Sequence, residues 1–453
     1  MVARTLSDSK QASAFELALA LIARDAENAV SDLSLMIAVD TSFPPGKGYD
    51  AFADLMEILV EPLGFETERV VVPKELWYVP DGPASGRRTN LLATRRRGKP
   101  VCSLYFHVDT VPAAPGWQQD PLRLERDGDR LIGLGAADMK GSIAAVLLAL
   151  RAAIACGVEL AYDPILLFCT DEEGGLFPGV RYLAEQGRLE GHLLNFNGSA
   201  DARIWAGCFG LFNLLIKVRG QTVHAGEGNR TGPGINAIES ALPLLQALQN
   251  LKLHVAQRTS NLPPPPHANR PLAAQLSIAA VHGGACGGQV PALVEITLCR
   301  RYAPEECFEN AMEEIQSVVR DVMAKAPGLS VHTDLIGHLI PTDDPGGPHW
   351  PRWQGAFGYG FGYAPEDFQK WGAASCSDFG FVQRTGMREG LLAGLGRPNR
   401  NIHSPGEHTT TVDIGFLARS VLAYLAADFM PDLIPEFSKP NPEGAIHAEL
   451  RPS

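Results

Sequence analysis

An apolar run, Val101 to Phe106, ends in His107, with Asp109 two residues on. Such a run reads as a buried strand, and the carboxyl ends of strands are where open α/β sheets place their chemistry. An imidazole there can ligate a metal, and Asp109, on the same side, can fix its tautomer. A second run, Asp163 to Cys169, leads into Thr170-Asp171-Glu172-Glu173. Acids crowded at a strand's end repel one another, and a cation would relieve the repulsion. Asp138 stands just before a helix of small and apolar residues, Ile143 to Cys156, near the amide-rich end that stabilises a carboxylate. His403 lies in the loop that precedes the closing helix. Singly these are a surface histidine, a helix cap, a solvated acidic loop and a loop histidine. One sheet, however, can bring all four to one edge. Imidazole and carboxylate without thiolate suit zinc, manganese or cobalt. A catalytic ion of that kind acidifies water and polarises a carbonyl, and a neighbouring unligated carboxylate can move the proton.

The positioning elements follow from periodicity. Glu68 to Val72, Thr89 to Thr94, His192 to Phe196 and Gly390 to Ala393 add strands to the two above. Phe15 to Val30, Tyr49 to Leu63 and Thr411 to Phe429 have helical spacing. Trp117 to Leu131 is polar and irregular, a hairpin or loop. Between them, strands Phe212–Val218, Ala274–Val281, Ala292–Arg300 and Leu329–Leu335 alternate with helices Ile235–Leu251 and Pro304–Ala324. This is a β-α-β-β-α-β run, the split βαβ motif of a small antiparallel-sheet domain. It sits between two α/β segments and reads as an insertion, residues 209–337, in a larger domain made of residues 1–208 and 338–453. Gln257 to Arg270 is a Pro-rich surface loop. The pair Gly133/Gly135 lacks the third glycine and the preceding strand of a dinucleotide fingerprint.

The chain has 453 residues, 45% of them hydrophobic, and a net charge of −12. That charge argues against nucleic acid or an anionic membrane as partner. The eight scattered cysteines contain no CxxC pair, so buried thiols in a reducing, cytoplasmic compartment are expected rather than a disulfide framework. No run is long and apolar enough to span a bilayer.

The combination His107-Val108-Asp109-Thr110-Val111-Pro112, Gly135-Ala136-Ala137-Asp138-Met139-Lys140-Gly141, Asp171-Glu172-Glu173 and His403-Ser404-Pro405-Gly406-Glu407 is more specific than its parts. Together with Gly220 to His224 and Arg301-Tyr302 it resembles the metalloamidohydrolase/peptidase family. That family contains acetylornithine deacetylase, succinyl-diaminopimelate desuccinylase, aminoacylase and glutamate carboxypeptidase. The resemblance runs from Ser42 to Glu407. It implies an α/β catalytic domain with a mixed, mainly parallel sheet flanked by helices, and an inserted ferredoxin-like lid and dimerisation domain. It implies that Asp138 bridges two metals, that Glu173 and His403 complete one site, and that His107 belongs to the other. Glu172 would be the general base and Asp109 would orient His107. His224 would reach the active site of a second subunit and steady an oxyanion, hence a homodimer. Arg301 would grip a carboxylate of a small substrate.

The chain departs from the family pattern where the second ligand beside His107 belongs. Asn197 holds that place, with Asp201 the alternative further on. With Asn197 there, the ligand carboxylates are Asp138 and Glu173, whose charge balances one divalent cation. One dominant metal per chain is therefore expected. In the lid, Gly288 and Cys299 replace polar residues of the relatives, which implies an altered grip on substrate. Two reactions stay open. One is hydrolysis of an amide in a carboxylate-bearing molecule. The other is hydrolytic deamination of an amino-aromatic acid, in the manner of nitroanthranilate aminohydrolase, toward which Trp205, Phe209, Tyr302 and Phe379 lean. A non-catalytic scaffold is the third reading, against which the retained Glu172 counts.

Overall fold

The computed structural model describes residues 14–226, 234–266, 268–325 and 329–429. Strands β1 (Glu66–Val71), β2 (Thr89–Thr94) and β3 (Val101–His107) come first, followed by the hairpin β4 (Glu125–Asp127) and β5 (Arg130–Ile132). Then come β6 (Asp163–Cys169), β7 (His192–Asn195) and the long β8 (Arg203–Arg219). The inserted region supplies β9 (Gln275–Gly283), β10 (Leu293–Tyr302) and β11 (Ser330–Leu339). The chain closes with β12 (Gln369–Cys376), β13 (Gly390–Leu392) and β14 (His408–Thr410). The longer helices are α1 (Ala26–Ile37), α2 (Tyr49–Val60), α3 (Gly141–Ala155), α4 (Ala237–Val255), α5 (Phe308–Met323), α6 (Trp350–Phe361) and α7 (Thr411–Leu425).

The main sheet has the order β1-β2-β6-β3-β7-β13. Strands β6, β3, β7 and β13 run parallel, while β1 and β2 are antiparallel additions at one side. The parallel strands are buried over nearly their whole length, as strands covered on both faces must be. Helices α1, α2, α3, α6 and α7 pack one core against the sheet. α3 is apolar almost all round and buried at twelve of its positions, which places it inside rather than on the surface. Because the four strands are parallel, His107, the acids after Cys169, Asn197 after β7 and the end of β13 all come to one edge.

The inserted region is a four-stranded antiparallel sheet in the order β11-β8-β10-β9, with α4 and α5 forming its core partners. With strands taken in chain order this is the 4-1-3-2 arrangement of the split βαβ motif. The architecture is thus α/β, with the expected mixed, mainly parallel sheet. β8 begins earlier than its alternating pattern indicates. It pairs with β12 over Arg203–Phe209 and with β10 and β11 beyond, so its first half carries β12 onto the inserted region's sheet. The irregular stretch before Gly133 contains the β4–β5 hairpin, to which β14 adds. Helix α6 and strand β12 carried no clear periodic signal. In α6 the glycine at 360 is required by close packing, since a Cβ there would lie 2.0 Å from the Ser420 hydroxyl on α7.

Of the eight cysteines, Cys102, Cys169 and Cys208 are buried, Cys286 and Cys307 are exposed, and none is disulfide-bonded. Among the described residues no helix is long and apolar enough to cross a membrane.

Candidate metal centre and substrate cavity

His107 ends β3 with its ring fully buried. Its Nδ1 faces the main-chain carbonyl of Asp109 at 2.9 Å, and its Nε2 faces Asp138 Oδ1 at 3.0 Å. The carbonyl can only accept, so it fixes Nδ1 as the protonated nitrogen and leaves Nε2 to a ligand. The orienting group is thus the Asp109 backbone. The Asp109 carboxylate is 3.9 Å from the ring and instead accepts the Glu173 amide at 2.8 Å. It ties the β3 end to the acidic loop.

Asp138 lies between two histidines. His403 Nε2 is 3.5 Å from its Oδ2 and 3.0 Å from Glu173 Oε1. The loop carrying Asp138 is clamped by Glu407, whose buried carboxylate accepts the amides of Gly135, Ala137 and Asp138 at 3.0 Å each. Gly135 turns that loop with φ +77°, and a side chain there would press on Thr110. Asp171, the first of the three acids, faces away from the cluster. It accepts from Tyr49 at 2.7 Å and from the buried Arg88 Nε at 2.8 Å. Asp171 and His403 both hold left-handed backbone, at φ 65° and 62°. Such non-glycine conformations persist where surrounding contacts impose them.

Ligand atoms of His107, Asp138 and Glu173 lie within 4.8 Å of one another. The electrostatics ask for a cation. Burial would push the His107 ring down, yet Asp138, Glu172 and Asp109 overcome it and hold its pKa well above the ordinary histidine range. Burial likewise opposes His403, but Glu173 and Asp138 raise it to about 11. Asp138 is pulled below the carboxylate range by the two rings despite its burial. A donor set of two imidazoles and two carboxylates, with excess negative charge and no thiolate, fits a divalent ion.

Glu172 is buried, and burial followed by the charges of Asp378, Glu173 and Asp138 raises its pKa well above the usual range, with His107 opposing. Its Oε1 accepts from Asn197 Nδ2 at 2.8 Å. Asn197 therefore presents an amide hydrogen to Glu172. Asp201 faces Arg397 Nη1 at 3.6 Å instead. Asp378, which the sequence did not single out, is one of the charges that raise Glu172 and accepts from Tyr105 at 2.5 Å.

Asp138, Glu172, Glu173, Asn197, Asp201, Arg301 and His403 line one cavity of about 1230 Å³. Pro265, Pro266 and Ala268 also line it, so part of the Pro-rich loop faces inward. Arg301 donates to the Ala374 carbonyl at 3.2 Å and to Cys376 Sγ at 3.3 Å. His224 is exposed and outside the cavity lining, with its Nδ1 accepting the Gly226 amide at 3.1 Å. Trp205, Phe209, Tyr302 and Phe379 are all core residues, between 0% and 5% exposed, and none lines the cavity. They pack the core and so give an aromatic substrate no support.

The chain is 26% identical over 303 residues to an acetylornithine deacetylase of Photorhabdus laumondii, covering 65% of this chain and 72% of that one. The dipeptidase Dug1p of Saccharomyces cerevisiae superposes with a TM-score of 0.75 at 15% identity, over 90% of this chain and 97% of that one. Bacillus subtilis YXEP, described as a dinuclear metal-binding peptidase, superposes with a TM-score of 0.52 at 16% identity, over 88% and 99%. The model of Peptidase family M20/M25/M40 matches residues 103–427, a span that holds every acid and histidine of the cluster. The protein belongs to that family and is a metal-dependent hydrolase of amide C–N bonds.

Proposed function

We propose that the protein hydrolyses the amide bond of a small carboxylate-bearing acyl compound, with Glu172 as the acid and base. The observation that carries this reading is the placement of Glu172. It lines the cavity beside the ligand cluster and is held by Asn197, and burial raises its pKa well above the usual carboxylate range. Asp138, Glu173 and His403 would hold a divalent ion, with His107 on the other side of Asp138. When bound, that ion supplies Lewis acidity, polarising the carbonyl and acidifying water. Glu172 takes the proton of the attacking water. It returns the proton to the amide nitrogen as the C–N bond breaks, giving a carboxylic acid and an amine. Arg301 binds the substrate carboxylate with its planar fork. The aromatic alternative loses its structural support, and amide hydrolysis is the reading favoured by the relatives.

Zinc, manganese or cobalt suits the donor set, and we favour a single ion per chain, because Asn197 contributes no charge. Residues 209–337 act as a lid and dimerisation domain on the catalytic domain of 1–208 and 338–453. The homodimer reading is supported by exposed Ile238 and Leu242 on one face of α4, and by Val281 on the edge strand β9. In such a dimer His224 would steady the oxyanion in the opposite subunit. Unpaired thiols support a cytoplasmic setting. A screen of the metal-loaded protein against acyl amino acids, dipeptides and aminobenzoates tests the reaction. Release of a free amine from an amide is expected; ammonia released from an aminobenzoate would contradict it.

A further inference from the structure

The cavity is larger than the 300–1,000 Å³ that commonly holds a small ligand. Three guanidinium groups line it: Arg301, Arg397 and Arg203. Arg397 is already committed, since it grips Asp413 with Nε at 2.9 Å and Nη2 at 3.1 Å. Arg301 is held by the Ala374 carbonyl and Cys376 Sγ. Arg203 is different. It opens β8, opposite Gln369 in the β8–β12 ladder, and its Nε donates to the Trp371 carbonyl at 3.2 Å. Its Nη2 is shut off from water and has no partner. Among the described residues no carboxylate stands within 4.0 Å of it, and Asp201, the nearest acid in sequence, is turned toward Arg397. Burial without such a partner holds the guanidinium down to about 10. Buried arginines are ordinarily paired, because an unpaired buried charge is costly. This one, although its Nη2 is closed off, belongs to a residue that lines the substrate cavity.

We propose that Arg203 anchors a second anionic subsite, so that the preferred substrate is an amide carrying two carboxylates, one held by Arg301 and the other by Arg203. This rests on the amidohydrolase reading above. The ring of Trp371, 5.4 Å from the guanidinium carbon, and the Trp371 carbonyl fix the plane of the fork. The part of the fork not committed to Trp371 offers a carboxylate a charged donor, whereas a neutral amide or methyl in its place leaves the charge unpaired.

The test pairs substrates that differ only in the second charge: N-acetylglutamate against N-acetylglutamine, and N-glutarylalanine against N-valerylalanine. For the metal-loaded wild type, kcat/KM for at least one dicarboxylate should exceed that of its neutral mate by about tenfold to a hundredfold, the size expected of a charged hydrogen bond. Arg203→Met should collapse that ratio, chiefly through KM of the dicarboxylate. Arg203→Lys, which keeps the charge and loses the fork, should give an intermediate ratio. A merely structural arginine would lower both members of a pair in step and leave the ratio unchanged, which would overturn the proposal, as would equal wild-type rates within both pairs. If none of the four is cleaved, the amidohydrolase reading fails on this class. Calorimetric titration with glutarate then decides the subsite alone. Binding weakened by about tenfold or more in Arg203→Met supports it, and equal binding contradicts it.

Discussion

Two histidine pairs occupy opposite edges of the same sheet, and they are built to opposite ends. At the carboxyl edge, His107 and His403 stand on either side of Asp138, each with a ring nitrogen on a carboxylate oxygen at 3.0 Å. At the amino edge, where β7 starts beside β3, His192 stacks on His349 with ring centroids 3.7 Å apart and planes 8° from parallel. There His192 Nε2 accepts from Tyr424 at 2.6 Å, and Val101 supplies a main-chain partner. Glu389 is taken by His349 Nδ1 at 2.6 Å and by its amide at 2.7 Å. Burial, and then the neighbouring His349, push His192 down to about 3, whereas His403 rises to about 11 against its burial. The same residue type is kept neutral in one place and made to demand a counter-charge in the other. What decides is how many uncommitted carboxylate oxygens face the ring nitrogens.

The contrast can be broken most sharply at the carboxyl edge. Glu172→Gln should lower kcat by about 10²–10⁴-fold while metal content, read by elemental analysis, stays the same. Loss of the metal in that variant would make Glu172 a ligand rather than the proton carrier. Glu407→Gln keeps the shape of the clamp on the Asp138 loop and removes its charge. Metal affinity should fall about 10–100-fold in a chelator competition, the scale typical of groups that hold a ligand in place. His192→Gln should leave that affinity unaltered. Asn197→Asp restores a third carboxylate beside the cluster, and metal content should rise from one ion per chain toward two.

The smallest effect belongs to the amino edge. His192 has its folded pKa depressed below the unfolded value near 6.5, so its contribution to stability is fully present above that pH. It is lost as the pH falls toward 3, at up to ~1.4 kcal/mol per pH unit. The acid side of a denaturation profile should accordingly be shallower in His192→Gln than in the wild type.

Much of this arrangement was legible before any coordinates. Runs such as Thr89–Thr94 and Asp163–Cys169 are strands with the bounds their patterning implies, because strands buried on both faces are uninterrupted apolar runs. His107, Asp138 and Glu173 were legible because each follows such a run or stands before a helix, whereas His403, in a loop, was legible only in combination with them. The start of β8 was hidden because Gly207, at φ +107°, interrupts its pattern within the stretch paired with β12. Helix α6 was hidden because its glycines read as breakers, although Gly360 serves contact with α7. Glu407 and Arg88 could not be found by spacing, since each acts on a loop distant in sequence. Arg203 gave no signal at all, because what marks it is the absence of a partner, and partners are a property of the fold.

The central claim is that one divalent ion is held by Asp138, Glu173 and His403 with Glu172 left free. Anomalous diffraction at the zinc edge from zinc-loaded crystals tests it most directly. A single peak is expected about 2.0–2.2 Å from oxygens of Asp138 and Glu173 and a nitrogen of His403, with Glu172 outside that shell and nothing beside His192 and His349. No peak at Asp138, a second full peak beside His107, or Glu172 within bonding distance of the ion would contradict it.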